Sequence, residues 1–295
     1  MSIPKQQSPV VTTHNRAAIA RRRPPRGFTL VELLVVVSIL GLLAAIVSSA
    51  VLDFIRSARI TRTGMEINQL EMAFEKLNAE NGEYPPSLLF SVNGSNEVES
   101  YFNRMYRRYD TTNRLATDME TVLGQFQSGY TFSVATVAPN VNRPDWALVF
   151  WLVGFSGDPA DPLRGHADRM RGITDSPKPY FEFDKDRLAE GTYARQDNTA
   201  LLERRYYYVD HRNYGRSFAD RNNLSVNFVA YHQGTLSSAG DPYRRDSFQI
   251  INPGRDGLLG SGGGTAAVGV PYSGDDADNI TNFSNNKSMY DFSNP

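Results

Sequence analysis

Apolar positions fall into three regimes along the chain. Residues 33–52, LLVVVSILGLLAAIVSSAVL, form a near-continuous apolar run broken only by Ser38, Gly41, Ser48 and Ser49. At ~1.5 Å per residue, a helix of that length crosses the ~30 Å hydrocarbon core of a bilayer. Asp53 and Arg56 end the run. Beyond them Ile60, Ile67, Leu70, Phe74 and Leu77 recur at helical spacing, with Arg59, Arg62, Glu66, Glu71 and Lys76 between them. Asn81-Gly82 supplies a stop, reinforced by Pro85-Pro86. The pattern predicts one helix from about Phe28 to Asn81, apolar all round in its first half and amphipathic in its second.

The third regime, 83–295, is mixed and rich in Tyr, Asn, Asp and Gly. Helices are expected around Val98–Arg108 and Thr117–Phe126. The run Trp146–Phe155 is too short to span a bilayer and reads as a buried strand or helix. Strands are expected at Tyr180–Phe183, Tyr206–Val209, Asn227–Tyr231 and Ser247–Ile251, each bounded by turn residues. Periodicity fades from Asn252 onward.

Charge changes the picture at the amino end. Residues 1–27 hold Lys5, Arg16, Arg21, Arg22, Arg23 and Arg26 and no acid, although the whole chain has a formal net charge of −1. A basic leader before an apolar run is a membrane-sorting pattern. The balanced total carries no nucleic-acid signature. The chain has no cysteine, which excludes disulfides and thiolate chemistry. Its four histidines, His14, His166, His211 and His232, do not fall at zinc-ligand spacing.

Where the leader meets the apolar run the sequence reads Arg26-Gly27-Phe28-Thr29-Leu30-Val31-Glu32-Leu33-Leu34. Glu32 would lie in or near hydrocarbon, where an unpaired carboxylate costs at least a few kcal/mol, so it needs a partner or must snorkel to the headgroups. Gly27 presents no side chain to obstruct a peptidase. This stretch resembles the processing site of type IV prepilins and type II secretion pseudopilins. The resemblance extends over roughly residues 21–90, including NGEYPPSL after the helix. It implies cleavage by prepilin peptidase between Gly27 and Phe28, methylation of the new amine, and pairing of Glu32 with the Phe28 amine of a neighbouring subunit. A conventional signal peptide cut after Ser48-Ser49-Ala50 is the competitor. Glu32 and the length of the apolar run argue against it.

Residues 254–283 place Asp256, Asp275, Asp276 and Asp278 in a Gly-rich stretch. Clustered carboxylates repel unless a cation or solvent screens them, and Ca²⁺ accepts six to eight oxygen ligands in irregular loops. The EF-hand pattern fails, because Ile280 and Thr281 fall where ligand and turn residues should be. The stretch resembles the calcium-binding C-terminal loop of major pseudopilins. Asp256-Gly257 matches its first part; Asn279-Ile280 with Phe283 matches its second, or Asp278 takes that place with one residue inserted. The resemblance implies Ca²⁺ held among Asp256, Asp275, Asp276, Asp278 and Asn279. A solvated acidic turn is the alternative.

The fold expected is α+β and pilin-like: a long N-terminal helix packed on a small, mainly antiparallel sheet, with a large insertion at about 91–245. The expected divisions are a leader (1–27), a transmembrane and assembly helix (28–82) and an exported head (83–295). Nothing assembles into a catalytic set, so the chain reads as structural and not an enzyme. The resemblance implies a single-pass inner-membrane protein with its head on the periplasmic side. Its partners would be prepilin peptidase, copies of itself, other pseudopilins and an inner-membrane assembly platform. A surface-pilus subunit, or a membrane-tethered binding module with an exposed Tyr206–Tyr208 face, are the alternatives.

Overall fold

The computed structural model describes residues 27–89, 97–126, 143–194, 205–219, 227–235, 238–260, 272 and 274–293. Helix α1 (Leu30–Asn81) comes first. It is followed by α2 (Glu97–Met105), α3 (Thr111–Gly124), α4 (Pro144–Leu152) and α5 (His166–Met170). Short strands come next: β1 (Leu188–Ala189), β2 (Thr192–Tyr193), β3 (Tyr207–Asp210), β4 (Phe218–Ala219), β5 (Asn227–Phe228), β6 (His232–Thr235), β7 (Ser238–Pro242), β8 (Phe248–Asn252) and β9 (Ile280–Thr281). Helix α6 (Met289–Ser293) closes the described chain. The architecture is α+β: a long N-terminal helix and small antiparallel sheets. The chain divides into two units, Met1–Asp53 and Phe54–Pro295.

In the first unit the apolar side chains of α1 are exposed all round; Leu34, for example, is 60% exposed. Two of its serines are satisfied within the helix. Ser38 Oγ donates to the Leu34 carbonyl at 2.8 Å and Ser48 Oγ to the Ala44 carbonyl at 2.7 Å. A helix with internally paired polar groups and apolar side chains on every face suits hydrocarbon.

The second unit has a core built on the rest of α1. Ile67, Leu70, Phe74 and Leu77 are fully buried. The Phe74 ring stacks on Tyr208 at 4.0 Å and 7°. The sheet beside it has the order β3-β8-β9, all antiparallel, with Tyr208 opposite Ile250 and Ile251 opposite Thr281. Side chains alternate across this sheet. Tyr206, Tyr208, Phe248 and Ile250 join the cluster that contains α1 and α4. Tyr207, Val209 and Ile251 join a second cluster with Phe218, Phe228, Tyr231 and Met289. A strand covered on both faces reads as a continuous apolar run, which is how Tyr-Tyr-Tyr-Val reads.

Several expectations change. Tyr206–Tyr208 is not an exposed aromatic face, since all three rings are buried. Tyr180–Phe183 forms no strand. The Tyr180 and Phe181 N–H groups both donate to the Leu152 carbonyl, at 3.0 and 3.1 Å, so the segment caps the end of α4. The stretch 91–245 is not wholly an insertion, because β3 lies within it and pairs with β8 in the sheet against α1. Trp146–Leu152 belongs to a helix, α4, every residue of which is buried, and Val153–Phe155 follow it in non-helical backbone.

Two polar devices fix this core to α1. Glu66 receives Arg187 in a bidentate pair, at 2.5 and 2.7 Å, and also accepts from the Tyr193 and Tyr206 hydroxyls. Past the helix, Asp210 accepts from the Ser87 N–H at 2.7 Å, from Ser87 Oγ at 2.6 Å and from Arg212 Nε at 2.6 Å. Burial pushes the Asp210 carboxyl up, but Arg212 and the Ser87 donors outweigh it and leave the group below its ordinary value. The loop NGEYPPSL is further held by Tyr208 Oη donating to the Pro85 carbonyl and Trp151 Nε1 to the Pro86 carbonyl, at 2.7 and 2.8 Å.

Candidate functional site

Gly27, Phe28 and Thr29 precede the first turn of α1 in non-helical backbone, and all three are exposed. Among the described residues, no atom outside its chain neighbours lies within 4 Å of where a Gly27 Cβ would stand. Phe28 is 73% exposed. On the side of the described residues, the Gly27–Phe28 peptide is therefore open to an enzyme.

Thr29 and Glu32 form a capping box at the start of α1. Glu32 Oε2 accepts from the Thr29 N–H at 2.9 Å and from Thr29 Oγ1 at 2.8 Å, while the Glu32 N–H donates to Thr29 Oγ1 at 3.2 Å. Two orphan donors of the first turn are thus satisfied, and one carboxylate oxygen is fixed. Among the described residues Oε1 accepts no hydrogen bond, so it is available to a cation from outside. Sequence reasoning identified Glu32 and missed Thr29, although the Thr-x-x-Glu spacing signals the box. The basic residues of 1–26 lie outside the described residues.

In the C-terminal loop, residues 261–271 and 273 lie outside the described residues. Asp256 and Asp275 are exposed, whereas Asp276 and Asn279 are buried. Asp278 Oδ2 accepts from the main-chain N–H groups of Arg255 and Asp256, at 2.6 and 3.2 Å. Asp276 Oδ1 accepts from the Tyr231 hydroxyl at 2.8 Å. Asn279 Nδ2 donates to Tyr231 Oη at 2.7 Å and to the Leu259 carbonyl at 3.1 Å. Tyr231 thereby holds Asp276 and Asn279 together, a role the sequence did not reveal. Gly254 (φ 60°) and Gly260 (φ 64°) complete the packing. A Cβ on Gly254 would meet Asp278, and one on Gly260 the Asp276 carboxylate, at under 3 Å.

Two oxygens stand out in this loop. Asp278 Oδ1 and Asn279 Oδ1 are buried and accept no hydrogen bond among the described residues. Buried acceptors without donors are costly unless a cation or water meets them. Among the described residues no three His, Cys, Asp or Glu side chains converge as a metal cluster. A cation here would therefore draw on amide and main-chain oxygens as well as carboxylates.

The family model for the prokaryotic N-terminal methylation motif matches residues 22–48, the signature of type IV pilins and pseudopilins. That span holds the open Gly27–Phe28 peptide, the Thr29–Glu32 box and most of the exposed apolar half of α1. No curated protein and no solved structure gives a significant match. The motif and the apolar N-terminal helix fit a membrane-anchored, pilin-like protein, and the motif implies prepilin-peptidase processing and assembly into pilin-like polymers.

Proposed function

We propose that the chain is a structural subunit of a type II secretion-like pseudopilus. It is cut between Gly27 and Phe28 and assembled from the inner membrane, through an assembly platform, with copies of itself and other pseudopilins. The observation that carries this reading is the 22–48 motif on a helix whose apolar side chains are exposed all round. Such a surface is covered first by lipid and then by neighbouring stems. Glu32 Oε1 faces the new Phe28 amine of a neighbour, while Oε2 stays with Thr29. The capping box lowers the cost of carrying the carboxylate in the membrane before that partner arrives.

The C-terminal loop favours a pseudopilus over a surface pilus. Its buried, donor-free Asp278 Oδ1 and Asn279 Oδ1 suit Ca²⁺, a hard cation that takes oxygen ligands. Asp256, Asp275 and Asp276 supply the surrounding negative charge, with Asp276 already engaged by Tyr231.

Mass spectrometry of membrane-extracted protein tests the processing step. A chain beginning at N-methylated Phe28 is expected; a terminus near Val51 would replace the prepilin reading with ordinary secretion. Gly27→Leu should leave the precursor uncut. The loop is tested by melting the soluble head, from about residue 56, in calcium and then in chelator. Stabilisation of roughly 2.7 kcal/mol is expected at a hundredfold excess over Kd, and Asp278→Ala should abolish it. Identical midpoints with no heat of binding would remove the argument for a pseudopilus.

A further inference from the structure

We propose that Arg56, Arg59 and Arg62 form a belt that binds anionic phospholipid headgroups at the C-terminal flank of the apolar run. The inference rests on reading 33–52 as a membrane-embedded segment. The three arginines follow the last apolar residue of that run, Leu52, by four, seven and ten positions. On a helix these offsets correspond to roughly 6, 10 and 15 Å, and steps of three residues keep the set within an arc of about 120°. Helical side chains lean toward the helix N-terminus, so each guanidinium reaches back toward the apolar run and the headgroup layer beside it.

All three are exposed, and Arg56 and Arg62 form no ion pair among the described residues. Three arginines farther along the chain are instead held in ion pairs, Arg187 by Glu66, Arg212 by Asp210 and Arg244 by Glu71, while Arg107 and Arg108 are, like Arg56 and Arg62, exposed and without an ion pair among the described residues. Phe54, 73% exposed, adds an apolar ring that can bury at the acyl boundary beside the headgroups. Arg is suited to this ligand because its planar fork matches phosphate oxygens. A neighbouring stem is the poorer partner. Residues 28–65 contain only two acids, Glu32 and Asp53, against these three cations, and the next acid, Glu66, is committed to Arg187. Side-by-side stems would therefore bring an excess of like charge. The belt would hold the subunit at a fixed depth until assembly withdraws it.

The test incorporates the full chain into nanodiscs of equal parts phosphatidylcholine and phosphatidylglycerol, and counts the lipids retained on the ejected protein by native mass spectrometry. Wild type should retain phosphatidylglycerol preferentially, with an enrichment of about fivefold attributable to each arginine. The variant Arg56→Gln/Arg59→Gln/Arg62→Gln should lose that share, leaving only what the basic leader contributes. The corresponding Lys variant should keep most of it. Undiminished enrichment in the Gln variant would overturn the belt. So would normal lipid retention combined with lost filament formation, which would assign the arginines to a neighbouring copy. Failure of wild type to enter nanodiscs at all would instead overturn the membrane reading on which the belt rests.

Discussion

Leu40 and Leu70 belong to the same helix and meet opposite environments: the first is 59% exposed and the second fully buried. The difference lies in what surrounds them in sequence. Around Leu40 no neighbour is charged and Ser38 alone is polar, so no single face is marked for the chain's own core. Around Leu70, charged residues at Glu66, Glu71 and Lys76 restrict the apolar positions to one stripe, and α4 and the β3-β8-β9 sheet cover it. Apolar surface with periodicity finds its partner within the chain; apolar surface without it calls for lipid or a second molecule.

The comparison breaks most visibly at Phe74. Phe74→Ala removes a ring stacked on Tyr208 and in contact with Phe248. It should destabilise the head by about 3–5 kcal/mol in urea. Leu40→Ala should leave that midpoint unchanged while reducing filament yield. If both substitutions weakened the head alike, the two halves would not be serving different partners.

Glu66 marks the border between the two regimes. Glu66→Gln leaves the Arg187 guanidinium buried without its counter-charge and weakens acceptance from Tyr193 and Tyr206. Breaking a buried pair from one side costs about 3 kcal/mol or more. The loss should be read in the urea midpoint, and Glu66→Gln/Arg187→Met should recover part of it.

His166 gives the stability of the head a dependence on pH below neutrality. It is fully buried between Phe150 and Phe155, with Nε2 at 3.0 Å from the Phe150 carbonyl. Burial, reinforced by nearby Arg169, pushes its pKa down to about 3. The folded value lies below the unfolded one, so the neutral ring favours folding. Its contribution is complete above roughly pH 6.5 and is lost as pH falls toward the folded value. By pH 5 the head should lose ~2 kcal/mol through this group. His166→Leu should flatten the acid limb of the urea midpoint against pH; an unchanged limb would mean another group controls it.

The long helix was legible because its signal repeats over many turns and ends at Asn81-Gly82. Gly27, Phe28 and Glu32 were legible because their motif is local. What escaped depends on long-range covering. The unbroken run Tyr206–Tyr208 suits a strand packed on both faces and an exposed aromatic face equally, and only the residues distant in sequence that cover β3 decide between them. The β6-β7 hairpin carries little apolar alternation in His232–Pro242, so it was not expected. Asp276 and Asn279 read as members of an acidic turn, yet their placement is set by Tyr231, distant in sequence. The loop's donor-free oxygens follow from that contact and from the close approach of Asp278 to Gly254, which no spacing rule encodes.

The smallest effect separates the two regions most cleanly, because each contains a helix cap of the same physical type. Asp110 caps α3 in the head, with Oδ1 accepting from the Asn113 N–H at 3.1 Å, and Thr29 caps α1 in the stem. A cap stabilises the first turn of its helix, and that gain reaches the whole fold only if the helix is packed into a cooperative unit. In α3, Leu115, Met119, Val122 and Leu123 are buried, so Asp110→Ala should lower the melting midpoint of the head. Thr29→Ala should speed amide exchange at Leu30–Leu33 by about fivefold, corresponding to ~1 kcal/mol, and leave the midpoint of the head where it was. It also removes the hydroxyl donor to Glu32 Oε2 and leaves only the main-chain N–H of residue 29, so the less tightly held Glu32 carboxylate should pair more readily with an incoming amine. Filament yield from Thr29→Ala should therefore hold level or rise, whereas Glu32→Ala should reduce it. A fall in yield with Thr29→Ala as large as that with Glu32→Ala would show that the box itself, and not the carboxylate it holds, is what assembly needs.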